Sequence, residues 1–286
     1  MKLDTSDLFK RRTVKKAEDL EKQGRTLEGY VFRGHKDPND GLTTTLHLAC
    51  KRHGLLQEAP DIERKLLREF ARRAHLYMRD GLEIPDPGDT LEWISLMRHY
   101  GAPTRVLDWT YSIFVAAHFA LSASERNKAC YIWAIDPEKL NKRAGELNPG
   151  LRDPIGSVQK SGSHFRSFFM ARPQKAFVAT ATPYRLNERL AIQHGVFLCP
   201  GHVGRSFLDN LRAIDLPKSD AIEIEIQSGC RGDLRELLHR QNIDSEVLFP
   251  GLQGLAMSLR DRIPELDKAH VEAKDIDLTA LGRAAK

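Results

Sequence analysis

Gly29-Tyr30-Val31-Phe32-Arg33-Gly34 is an aromatic and β-branched run that stops at a glycine, as a strand entering a turn does. It is the first stretch that reads as a core strand, because residues 1–28 are polar and charged with few large apolar groups. Four later segments have the same character. Residues 129–135 (ACYIWAI), 176–181 (AFVATA) and 190–199 are apolar runs of strand length, the last containing Gln193 and Gly195. Residues 221–226 (AIEIEI) alternate strictly, which gives Ile222, Ile224 and Ile226 one face and Glu223 and Glu225 a second face that is wet or lines a site.

Between these strands the apolar period switches from two to about 3.6. Ile62, Leu66, Phe70, Ala74 and Tyr77 recur at helical spacing, with Pro60 before them and Asp80-Gly81 after. A second helix, N-capped by Thr90, carries Trp93, Ile94, Met97 and Tyr100 and stops at Gly101 and Pro103. Further helices are expected over 113–121, 231–240 and 255–262. The mixture argues for an α+β or α/β fold and not an all-helical one, with helices inserted between the first and second core strands. Three regions follow: a basic helical extension at 1–28, the main domain at 29–262, and a charged peripheral tail at 263–286.

Apolar residues make up 41% of the chain and charged residues 29%, enough apolar surface to build a core. No apolar run reaches membrane-spanning length and the N-terminus has no apolar leader, so a cytoplasmic protein with no membrane partner is expected. Cys50, Cys130, Cys199 and Cys230 stand far apart without metal or disulfide spacing and read as reduced, buried thiols. The net charge of +5 lies entirely in residues 1–80, where 18 Lys and Arg face 13 Asp and Glu; such a bias suits either a solvated helix face or an anionic partner.

Two places can carry chemistry. Arg33 would project from a strand end beside Gly34, which lets a backbone or a ligand come close. A guanidinium so placed binds a pyrophosphate or pairs with a carboxylate such as Asp108. Residues 99–112 crowd His99, Thr104, Arg105, Asp108, Thr110 and Ser112 around a Gly/Pro turn, and a single network joining Thr104, Arg105, Asp108 and Thr110 is expected. Trp93, Trp109 and Trp133 read as core residues, with base stacking by Trp109 the alternative.

Phe32-Arg33-Gly34 together with His99-Tyr-Gly-x-Pro-Thr-Arg-x-Leu-Asp-Trp-Thr resembles the signature of the FRG domain, a bacterial and phage family. The resemblance extends through 63–70, through Arg189-x-x-x-Gln193-x-Gly195-x-Phe197 and through Leu248-Phe-Pro-Gly-Leu-x-Gly-Leu, over residues 25–260 in all. A second resemblance is to ADP-ribosyltransferases of the arginine-serine-glutamate type. It implies a related α+β fold with a mixed-sheet core and NAD as substrate, with nucleic acid or protein as acceptor, in a toxin or antiphage effector; residues 1–28 either fold with the core or bind an antitoxin-like partner. It implies that Arg33 grips the pyrophosphate while Thr110, Ser112 and Gln193 line the ribose pocket. The catalytic candidates are then Arg33, Gln193, His99 and Asp108, and the NAD-binding candidates Arg33, Gly34, Thr104, Arg105, Thr110 and Ser112; no metal is expected. Alignment on Gly195 puts Arg189 where those enzymes carry a glutamate, and Glu188, one residue away on a strand, would point to the opposite face. Two other classes remain: a nucleotide- or nucleic-acid-binding module that breaks no bond, and a nuclease using His35, His99 and Asp108.

Overall fold

The computed structural model describes residues 5–38, 41–77, 84–122, 128–151 and 162–266. Among them seven strands form one open sheet: β1 Lys10–Val14, β2 Val31–His35, β3 Leu107–Thr110, β4 Cys130–Ile135, β5 Val178–Ala181, β6 Gly195–Pro200 and β7 Ala221–Ile226. Their order is β1-β7-β4-β2-β3-β6-β5. β1 runs parallel to β7, and every other neighbouring pair is antiparallel. The α+β expectation stands. Helices Thr45–Arg52, Ala59–Arg73 and Thr90–His99 intervene between β2 and β3, as the sequence implies.

The central strands are apolar on both sides, so each face of the sheet must be covered. Every residue of β4 is buried. Cys130, Ile132 and Ala134 pack with Ile222, Ile224 and Ile226 against the helices Ala17–Thr26, Ile113–Ser122 and Arg231–Arg240. Tyr131, Trp133 and Ile135 join the opposite layer, which contains Leu91 and Ile94 of Thr90–His99, Leu140 of Pro137–Leu147, and Phe165 and Phe169 of Gly162–Phe169. Full burial of each such side chain contributes about 1.5–3 kcal/mol, so the two layers supply most of the stabilising free energy. All four cysteines are buried free thiols.

Four readings of the sequence are corrected. The basic run at residues 10–12 belongs to an edge strand of the sheet and not to a helical extension; the helix Ala17–Thr26 follows it. The glutamate face of the AIEIEI strand is not a wet face: Glu223 is buried beneath Thr5 and Arg11, and Glu225 is half-buried. Residues 190–199 are not one strand. Asn187 accepts a hydrogen bond from the Leu190 amide at 2.8 Å and caps the short helix Glu188–Ile192. His194 then takes φ of 48° and turns the chain into β6. An Asx cap and a left-handed residue break the run, and neither registers in a count of apolar residues. Asp89, one residue before the expected cap, caps Thr90–His99 by accepting from the Glu92 amide at 3.2 Å.

The chain divides into two compact units, residues 1–243 and 244–286. The sheet and its two helical layers lie in the first. In the second, Asp244 caps the helix Ser245–Leu248, and Gly251, at φ of 83°, turns the chain into the helix Leu252–Leu266.

Candidate functional site

Alternation along β2 sends Phe32 and Gly34 to the face covered by Ile113–Ser122 and leaves Arg33 on the other, level with Trp133 of β4. Gly34 is needed for the helix, since a Cβ there would overlap the Ala116 carbonyl oxygen. Its role is close packing of a backbone and not approach of a ligand. Arg33 Nε donates to the Gly41 carbonyl at 2.6 Å and Nη1 to the Asp108 carbonyl at 2.6 Å. Two neutral acceptors only partly replace lost water. Burial therefore pushes the Arg33 pKa down to about 10, with Asp108 opposing the shift and Arg98 adding to it.

Arg98, in the last turn of Thr90–His99, reaches across to β3. Its Nε donates to Asp108 Oδ2 at 2.9 Å, and its Nη2 donates to the same oxygen. Burial alone would raise the Asp108 carboxyl, but Arg98, then Arg33 and Arg189, hold it below the ordinary carboxylate range. Arg189, on Glu188–Ile192, is lowered by burial; Asp108 opposes this and Arg98 reinforces it. Three guanidiniums thus feel one carboxylate at a place that is only partly buried. His99, exposed at the rim, has its pKa lowered by burial and by Arg189, with Glu188 acting the other way. Its ring stands edge-on to Tyr100 at 4.8 Å, and Tyr100 is also exposed.

The other residues singled out in the sequence go elsewhere. Arg105, expected to hold a ligand, is completely buried; it forms a two-point ion pair with Glu63, donates to the Pro200 carbonyl at 3.2 Å and lies over the Phe169 ring. Thr104 pairs through its backbone with the Thr45 hydroxyl and the Leu46 amide. Thr110 Oγ1 donates to the Gln193 carbonyl at 2.7 Å and accepts from the Ser112 amide, while Ser112 Oγ accepts from the Val115 amide at the start of Ile113–Ser122. The single network expected of Thr104, Arg105, Asp108 and Thr110 is therefore four local ones. In so short a segment successive side chains leave in different directions and meet different elements.

Of the ordered set Arg33, Thr110 to Ser112 and Gln193, Thr110, Ser112 and the Gln193 backbone are joined, whereas Arg33 leaves β2 on the face opposite to Phe32, the register partner of Thr110. Phe32 pairs with Thr110 across β2 and β3, and Thr110 reaches the Gln193 turn ahead of β6. Asp108 is brought to the Arg33 site, as is His99 to its rim. Glu223 is not, since Arg11 Nε at 3.1 Å, Thr5 and Trp133 surround it and Trp133 separates it from Arg33 in the sheet register. His35 Nδ1 engages its own turn at Asp37. Trp93, Trp109 and Trp133 are all buried. Arg98 escaped the sequence reading although it stands directly before His99; the available signal was a cation in the last turn of a helix, which usually serves only the helix dipole.

Chemically, the cluster offers a fixed excess of positive charge with one carboxylate already engaged, a geometry suited to an anion. Among the described residues no group of three or more His, Cys, Asp and Glu is placed to hold a metal ion, and no helix is long and apolar enough to cross a membrane. Residues 28–129 match the FRG domain family. No curated protein and no solved structure matches the chain. The chain carries an FRG domain that spans Arg33, Arg98 and Asp108, whereas Arg189 and Gln193 lie beyond the matched stretch.

Proposed function

We propose that this protein binds the phosphate groups of a nucleotide or nucleic acid through Arg33 and Arg98 of its FRG domain together with Arg189, without breaking a bond. The observation that carries the reading is the convergence of Arg33, Arg98 and Arg189 on Asp108, with Arg98 bonded to its carboxylate and Arg33 to its backbone carbonyl. Arg33, bonded to two neutral carbonyls, carries a charge that Asp108, already bonded to Arg98, only partly offsets, and partial burial strengthens attraction for an incoming anion. Asp108 orients Arg98 and is itself too tightly held to serve as a base. The basic balance of residues 1–80 suits a polyanionic ligand. Titration calorimetry with pyrophosphate, ADP and a short single-stranded oligonucleotide tests this. Binding that weakens about tenfold or more in Arg33→Ala and Arg189→Ala, as loss of a charged hydrogen-bond partner predicts, supports it. Equal binding by wild type and both variants, or none, rejects it.

A second reading, cleavage of NAD with transfer of ADP-ribose to a macromolecule, is favoured by the order of Arg33, Thr110, Ser112 and Gln193 along the chain and by the bond from Thr110 to the Gln193 turn. It requires a carboxylate to stabilise the cationic transition state. Glu188 is the candidate, because it is exposed and near enough to influence His99. Nicotinamide release from labelled NAD by wild type, lost in Arg33→Ala and Glu188→Gln, would replace the binding reading with this one. The nuclease reading is not advanced, since Asp108 is held by Arg98 and His35 by its own turn.

A further inference from the structure

On the far side of Thr90–His99 from Asp108 lies an open groove of 530 Å³. One wall is Leu66, Phe70 and Tyr77, along Ala59–Arg73 and the turn after it; the other is Leu96, Met97 and Tyr100. The floor is apolar, and Tyr77, 73% exposed, and Tyr100, 57% exposed, stand at its edges. The outer rim is basic. Lys65 and Arg72, both exposed, sit one helical turn from Glu69, and Glu69, the carboxylate that lines the groove among the described residues, is paired with Arg73 at 3.2 Å.

We infer that this groove docks an amphipathic helix with acidic flanks, supplied by a partner protein. Two helical walls over an apolar floor form the cradle that receives apolar residues spaced i, i+3, i+4 and i+7 on a third helix. The rim decides the partner's charge, since Lys65, Arg72 and Arg73 outnumber Glu69 and complement glutamate or aspartate beside that apolar stripe. A nucleic acid would find no partner for its bases or phosphates on the floor. Leu96 and Met97 line the groove and Arg98 follows them directly, so a docked helix would press on the element that carries part of the arginine cluster. The inference does not depend on what that cluster binds.

The test uses the full chain and a fluorescent synthetic peptide with leucines at those helical positions and glutamates along both flanks, followed by anisotropy. A second peptide carries lysine for glutamate. Saturable binding of the glutamate peptide, weakened about tenfold in Arg72→Glu and in Tyr77→Glu and weaker still for the lysine peptide, is expected. Tyr77 is exposed enough that its substitution leaves the fold intact, and circular dichroism checks this. No binding to wild type, equal binding of both peptides, or binding unchanged in Tyr77→Glu would overturn the inference. So would occupancy by a neutral apolar dye that the peptide fails to displace, which marks a small-molecule pocket, or self-association lost in the same variants, which marks a second copy as occupant.

Discussion

Gly34 and Asp108 illustrate two ways in which a single residue constrains this fold. At Gly34 the constraint is steric. The Ala116 carbonyl oxygen fills the volume of a Cβ, so Gly34→Ala must move Ile113–Ser122 or β2. A loss of more than ~3 kcal/mol, the range for forced overpacking and backbone displacement, is expected in urea denaturation, while Gly29→Ala, with open space around its Cβ, is limited to the cost of its positive φ. At Asp108 the constraint is electrostatic. Its folded-state pKa lies below the ordinary value, so the unfolded chain binds the proton more readily. The stabilisation is present above the unfolded pKa and is lost as pH falls through the folded one. Asp108→Asn should therefore lower stability at neutral pH and flatten the acid limb of the stability–pH curve below about pH 4. An acid limb identical to wild type would mean that Arg98 gains nothing from the pair.

Among elements, the helix Ala59–Arg73 is tied to the end of β6 by the Glu63–Arg105 pair, with both side chains buried and Arg105 also bonded to the Pro200 and Gly201 carbonyls. Removing one member strands a buried charge. Glu63→Gln or Arg105→Met should each cost about 3–5 kcal/mol, and the double variant Glu63→Leu/Arg105→Met clearly less than their sum; additive losses would show that the two side chains act independently. The strand β1 is the second case. It supplies Val14 to the core and Arg11 to buried Glu223, while Thr5, just before it, caps the same carboxylate. A chain lacking residues 1–14 should unfold at clearly lower urea concentration, with partial recovery on Glu223→Leu, whereas an independent extension would be removed without effect. The basic residues at 10–12 made this segment legible as charge. Its strand character was hidden, because an edge strand with only one buried neighbour needs few apolar positions.

Considered as a whole molecule, the sheet, both helical layers and the arginine cluster all fall within residues 1–243. A chain ending at Ile243 should retain cooperative thermal unfolding and the phosphate binding proposed for the full chain; a non-cooperative melt would show that residues 244–286 complete the first unit.

Local pattern was enough for β2, β4, β5 and β7, for the helices before and after residues 78–83, and for the α+β class, because burial on fixed faces imposes a period that survives in one dimension. The same pattern located Arg33 and the crowded segment at 99–112. What it could not distribute was the direction of each polar side chain. Arg105 looked like a ligand-binding residue and is a buried pin, whereas Arg98 looked like a helix-end cation and holds Asp108. Arg189, read as a substitute for a missing carboxylate on a strand, sits on a short helix and completes a cationic cluster. These assignments depend on which strands become neighbours: β3 lies between β2 and β6 although they are far apart in the chain. Charge–charge and hydrogen-bond energies are set by distances across those pairings and by the water excluded from them, and only the folded chain fixes either.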